Sequence, residues 1–323
     1  MAWLIGWGRR KSKAAVGSTA GAQTNYQLQL TVYKSVGVDT NTEVYLGTNV
    51  RDDFGDVRFT DTNGTTLLDY WIETLTSGVS AVIWIEIPSI PVSPSSTTIY
   101  IYYDNPAQTT TSSGTSTFIQ WHGSTDTEFV DSLVVNPNNK FVFEAKARST
   151  DSSALGDSFG VGVGVNAIWY LDSAFMVDDF NNGNTKRFII YKDNVNVDSK
   201  SAAGSWTQDQ WYKVKIINNI TSASGYLDST QIGTDIVGSL PTETLGIYMY
   251  EGGVHTGEQE YSFVRNYASP EPTLGATGNE TTTATVPTLG SLYSPIQRGI
   301  GYIAGIGASL GRSRPKVRAY HVI

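Results

Sequence analysis

Glu258 and Glu260, two residues apart, come nearest in this chain to acid–base chemistry. A retaining glycosidase needs two carboxyl groups about 5 Å apart. Positions i and i+2 of a strand put two side chains on one face. Tyr261 follows the pair. The plainer reading is a polar strand edge, and no catalytic residue is assigned. A Ser–His–Asp arrangement has little to start from. His122 sits beside Trp121, His255 lies in a glycine-rich turn, and His321 is third from the C-terminus. None has the strand–turn–helix context of a nucleophile elbow.

Hard cations take carboxylate and carbonyl oxygens from loops. Asp52, Asp53 and Asp56 form one cluster, and Asp178, Asp179, Asn181 and Asn184 form another. The second is the candidate calcium site, and no cofactor is expected beyond that one candidate. Neither cluster has EF-hand spacing, and both also suit Asx turns. Glycan binding would use aromatic side chains on one sandwich face, with Trp169, Tyr170, Trp206, Tyr248 and Tyr250 as candidates. The competing reading is core packing, since Trp and Tyr bury large areas and suit strands. Asn63, Asn219 and Asn279 each begin a glycosylation sequon, expected in a surface loop. Gly160–Gly164 alternates Gly with Val, which reads as a strand with close backbone approach and not as a phosphate loop.

The elements that would position these groups are strands. Tyr26, Leu28, Leu30 and Val32 alternate with Gln27, Gln29 and Thr31, a period of two. Val82–Ile87 and Thr97–Tyr103 follow, joined by a Pro-rich turn. Further strand signals lie at Lys140–Ala147, Phe159–Val165, Ile168–Met176, Phe188–Tyr191, Trp211–Ile217, Leu245–Met249 and Tyr261–Tyr267. Such spacing points to an all-β chain of two jelly-roll-like β-sandwiches. The expected division is a sandwich over 1–106, a Ser/Thr linker over 107–119 and a second sandwich over 120–275. A linker and basic, Gly-rich arm then fill 276–323.

Composition agrees. Among 323 residues, 16% are charged, below the usual quarter, while Tyr numbers 18 and Trp 8. The absence of cysteine excludes disulfides, thiolate metal sites and a Cys nucleophile. The net charge is −8, but the ends are basic. Arg9, Arg10, Lys11 and Lys13 precede any acid, and Arg298, Arg312, Arg314, Lys316 and Arg318 follow the last one. The middle holds all 30 acids against 13 of the 22 bases, a net of about −17. Basic ends on an acidic body read as anchoring segments for an acidic protein surface, and the acidic body disfavours nucleic acid. No apolar run is long enough to span a bilayer, and the opening residues lack the order of a signal peptide.

Six blocks in the first 110 residues resemble a prokaryotic module catalogued as domain of unknown function 2341. They are Gly6–Lys11, Asn25–Gln27, Asp56–Asp61, Leu67–Glu73, Ala81–Pro88 and Ile99–Pro106. Asp104 departs from the family, which places Gly in that turn. Residues 120–275 resemble a concanavalin A-like or laminin-G-like sandwich through Trp206, Gln210–Lys215, Gly225–Asp228 and Phe263–Pro272. The second resemblance implies a loop calcium and a fold that can host a glycosidase, although the Glu-x-Asp-x-x-Glu spacing of such enzymes is absent. The tandem implies a prokaryotic surface protein or a protein of a prokaryotic virus.

The resulting expectation is a non-enzymatic virion protein of a prokaryotic virus, archaeal viruses included, displayed as a capsid decoration or tail fibre and able to bind host glycans. Its partners would be other virion subunits, met through both termini, and further copies of itself. A cell-envelope adhesin or filament subunit is the first alternative, and a polysaccharide-active enzyme the second.

Overall fold

The computed structural model describes residues 2–150, 158–165, 173–179, 185–192, 195–202, 206–237, 241, 243–251 and 256–283. The described residues are nearly all β, as expected. One sheet runs β22 (Thr273–Thr277), β1 (Arg9–Val16), β8 (Ser96–Tyr103), β4 (Arg58–Thr60) and β5 (Leu67–Leu68), with β23 (Thr281–Thr282) also on β1. Facing it is β3 (Glu43–Tyr45), β2 (Gln23–Tyr33), β7 (Ser80–Ile90) and β6 (Tyr70–Thr76). Leu28, Leu30 and Val32 of β2 meet Ala15, Phe59, Ile99 and Ile101 in the core between them. The period-two pattern thus becomes burial on one face.

In the second sandwich, one sheet runs β10 (Phe129–Val130), β20 (Gly246–Glu251), β12 (Ser158–Gly164), β13 (Ser173–Asp179), β14 (Thr185–Lys192) and β15 (Val195–Ala202). The other runs β18 (Thr230–Gln231), β17 (Ser222–Leu227), β16 (Tyr212–Asn218), β11 (Phe141–Ser149), β21 (Gly257–Asn266) and β9 (Gln120–His122), with β19 (Ile236–Val237) on β17. Phe143, Val214 and Ile216 pack against Val161, Met176 and Phe188. Gly162 is the close approach its pattern predicts: a Cβ there would sit 2.3 Å from the Ala174 carbonyl oxygen.

Two segments differ from expectation. Arg9, Arg10 and Lys11, read as an anchoring arm, belong to β1, paired on both sides. Arg9 pairs with Asp104 and Glu280, Lys11 with Asp39, and Arg10 lies 4.4 Å from the Trp3 ring and 4.5 Å from that of Tyr100. Partners far along the chain satisfy these charges. β22 and β23, at the expected border between second sandwich and arm, return to the first sandwich, where Leu274 enters its core.

The Ser/Thr linker is an ordered strap. Ser113 caps the short helix α1 (Gly114–Thr117), and Ser112 and Ser113 bond the edge of β6 at Ile72 and Tyr70. Asp104 has φ +69°, in the left-handed region that favours glycine, so the departure noted there falls on a residue bearing backbone strain.

The outer faces of the two sandwiches meet. Trp71 and Trp84 pack against Trp121, Tyr261 and Phe263, with Phe118 stacked on Phe263 at 4.0 Å between centroids. The Glu73 side chain, 3% exposed, accepts hydrogen bonds from Gln29 Nε2 (2.7 Å), Trp84 Nε1 (2.9 Å) and the Tyr261 hydroxyl (2.7 Å), and pairs with Lys213. Arg265 bonds Glu144 at 2.9 Å and Glu271 at 2.7 Å, and its guanidinium lies 5.2 Å from the Trp84 ring. Aromatic burial and fully paired charges therefore lock the sandwiches together.

Candidate functional site

Beyond the joint, the outer face of the seven-stranded sheet carries a row of groups suited to binding. Tyr212, Val214 and Ile216 point into the core, so Trp211, Lys213 and Lys215 point out. On the neighbouring β11, Phe143, Ala145 and Ala147 point in, and Glu144, Lys146 and Arg148 point out. A bulge where β21 passes Lys146 and Ala147 re-aims that strand. Glu258 and Glu260 then meet Arg148 and Lys146.

Arg148 donates twice to Glu258 Oε2, from Nε at 2.9 Å and from a terminal nitrogen at 2.7 Å. Its guanidinium carbon lies 4.7 Å from the centroid of the half-buried Trp211 ring, and Lys146 Nζ lies 5.5 Å from it. On the other side Glu258 borders an open cavity of about 310 Å³ with Ser124, Thr125 and Asp126. Thr125 is held to β21 by reciprocal backbone bonds with Gln259. The row therefore runs indole, guanidinium, carboxylate, polar cavity.

The two glutamates do share a face, as their spacing predicted. Each is neutralised by its own cation and is a third or more exposed. Both therefore present fixed polar groups on the sheet surface. His122 finds an acid, with Nδ1 3.0 Å from Asp131 Oδ1, and stacks on Phe129. The serine opposite it on β21, Ser262, is fully buried and out of reach of any substrate.

Among the glycan candidates, Trp206 is 1% exposed and packs on Phe159 and Tyr212 in the core, so it offers no surface to a ligand. Tyr248 is fully buried and Tyr250 half-buried, with Phe175, Ile189 and Tyr191 on the outer face of the six-stranded sheet of the second sandwich. Trp169 and Tyr170 lie outside the described residues. So do Asn181 and Asn184 and the side chains of Asp178 and Asp179, which end β13. The other aspartate cluster is dispersed among local partners. Asp53 takes both prongs of Arg51, Asp52 pairs with Lys34, and Asp56 accepts from the backbones of Arg51, Asp104 and Asn105. The Arg51 bonds hold the Asp53 carboxyl well below the usual range. No group of three ionisable ligands is placed to hold a metal among the described residues.

Asn63 stands in an exposed turn with its amide bonded to Asp61 and Thr66. Asn219 is half-buried in the β16–β17 hairpin, and Asn279 is exposed between β22 and β23. Arg298, Arg312, Arg314, Lys316 and Arg318 lie outside the described residues. Sequence reasoning passed over Trp211 and Arg148, although the alternation of Trp211–Ile217 already separates an inward from an outward set.

A family described as a domain of unknown function (DUF2341) matches residues 53–135, which reach from the first sandwich through the strap to Val135. No curated protein matches the sequence. Among solved structures, the chain is similar to Caenorhabditis elegans galectin LEC-6, with 13% identity, 45% of this chain and 96% of that chain covered, and a TM-score of 0.35. It is also similar to the carbohydrate binding module CBM66 from Bacillus subtilis, at 11%, 49% and 97%, and 0.26. A third similarity is to xylan beta-1,4-xylosidase from Bacillus halodurans C-125, at 10%, 44% and 30%, and 0.32. Alignments this loose bear on neither ligand nor activity.

Proposed function

We propose that this is a non-enzymatic surface protein that binds glycans through the outer face of its seven-stranded sheet. The observation that carries the reading is the row Trp211, Arg148, Glu258. It combines an apolar aromatic surface with fixed hydrogen-bonding groups, the pairing that sugar recognition requires. The joint holds that row on a rigid body, which keeps the entropy cost of binding low. Binding of the full chain to an array of cell-surface polysaccharides tests it. An array with no bound glycan sinks it, and turnover of a bound polysaccharide would move the protein to the enzyme class.

In the finer form of this proposal, the protein sits on the surface of a prokaryotic virus as a capsid decoration or tail fibre. Its support is the resemblance carried by the blocks from Asp56 to Pro106 and the basic residues after Glu280. Many copies on one particle would make weak single-site binding effective. Quantitative mass spectrometry of purified particles and of cell envelope decides the place. Stoichiometric enrichment in particles is expected, and enrichment in envelope would instead mark an adhesin or filament subunit. A chain ending at Thr283 keeps β23, and its full incorporation into particles would refute anchoring by residues 284–323.

A further inference from the structure

We infer that the cavity beside Glu258 is a subsite for one uncharged sugar residue, that Trp211 with Arg148 forms the adjoining subsite, and that the ligand is a neutral glycan of at least two units. The inference rests on the glycan-binding reading and narrows it to a site and a ligand class.

The cavity, about 310 Å³, lies at the lower end of the size of small-ligand sites. Its polar groups are available. Both bonds from Arg148 go to Glu258 Oε2, which leaves Oε1 free to accept. Ser124 is exposed and can donate or accept. A sugar ring presents several hydroxyl donors, and a carboxylate is the strongest acceptor a side chain offers them.

The charges select against acidic sugars. A uronate or sialate in the cavity would face Asp126, an exposed carboxylate with no ion pair among the described residues. Arg148, the cation that balances Glu258, is already engaged there by both of its bonds. An uncharged ring meets no such repulsion.

The length follows from the sheet. Trp211 leads into β16, Arg148 is on β11 and Glu258 on β21, three neighbouring strands. Adjacent strands are about 4.8 Å apart, so indole and cavity are separated by roughly 10 Å. A single ring cannot reach both. The part of the half-buried indole left open beside Arg148 and Lys146 would pack on the C–H face of the second ring.

The test uses the full chain and immobilised neutral oligosaccharides beside uronate- and sialate-containing ones, followed by calorimetry on the best ligand. Neutral oligosaccharides should bind. Trp211→Ala and Glu258→Gln should each weaken binding about tenfold or more with an unchanged melting temperature. Ser124→Ala, at an exposed position, provides the same readout should Trp211→Ala fail to fold. Binding confined to acidic glycans overturns the ligand class. A monosaccharide binding as tightly as its trisaccharide overturns the two-subsite arrangement. Glycan binding untouched by all three variants overturns the location but leaves the glycan-binding reading standing, whereas no binding to any glycan overturns both.

Discussion

The Tyr261 hydroxyl donates a 2.7 Å hydrogen bond to Glu73 Oε1, joining β21 of the second sandwich to β6 of the first across 188 residues of sequence. Glu73 takes three further donors, so its buried charge is fully satisfied. Removing the acceptor is costly because Trp84 and Tyr261 would keep buried, unpaired donors. Glu73→Ala should cost about 3 kcal/mol and Tyr261→Phe about 1 kcal/mol. Denaturant unfolding followed by Trp fluorescence measures both. Equal costs for the two variants would mean that Glu73 does not organise the joint.

The same carboxylate sets an acid limit. Burial pushes its pKa up, but the bonds and charge of Lys213, then the bonds of Tyr261 and Trp84, outweigh burial and hold it below its ordinary 4.5. A carboxyl depressed in the fold contributes stability above its unfolded pKa and loses it as pH falls through the folded value. Stability should therefore drop below about pH 4.5, and Glu73→Gln should flatten that drop. Parallel acid curves for wild type and Glu73→Gln would place the loss elsewhere.

Glu86 behaves in the opposite sense. Burial, then the charge of Asp69, pushes its pKa up to about 7. Between 4.5 and 7 the folded state holds a proton that the unfolded state releases, so stability falls as pH rises through this window. Glu86 is only half-buried, and solvent screening reduces the effect to about 1 kcal/mol. Glu86→Gln should raise the melting temperature at pH 8 and leave it unchanged at pH 4. A rise of equal size at both values would show packing, not titration.

What the sequence made legible follows from the range of each interaction. Alternation in Tyr26–Val32 is local, and it marked a buried face correctly. In Arg9–Lys13 the charges masked the strand, because Asp39, Asp104 and Glu280 become neighbours only after folding. Trp206 and Trp211 look alike as residues, and what separates them is which side of the chain faces the core. Trp211 keeps the outward phase of β16, while Trp206 lies before that strand and packs on Phe159 of the opposite sheet. The Glu73 site could not be read at all, since its donors come from β2, β7, β16 and β21.

Lys13 tests how the chain's two ends depend on each other. It is fully buried in β1 and donates to the Thr40 carbonyl at 2.7 Å and to Thr277 of the returning strand β22 at 2.8 Å. Burial pushes its pKa down to about 8, against an opposing pull from Asp39. Between pH 8 and 10.5 the unfolded chain binds a proton that the folded chain does not, so stability should rise with pH across that window. Lys13→Met should abolish this rise. A chain ending at Pro272 loses Leu274 from the first core and Thr277 from Lys13, a change of about 3 kcal/mol, or a fall of roughly 10 °C in melting temperature. It should also expose the edge of β1 to rapid hydrogen exchange. Unchanged exchange in Arg9–Val16 after that truncation would mean that β22 and β23 contribute nothing to the first sandwich.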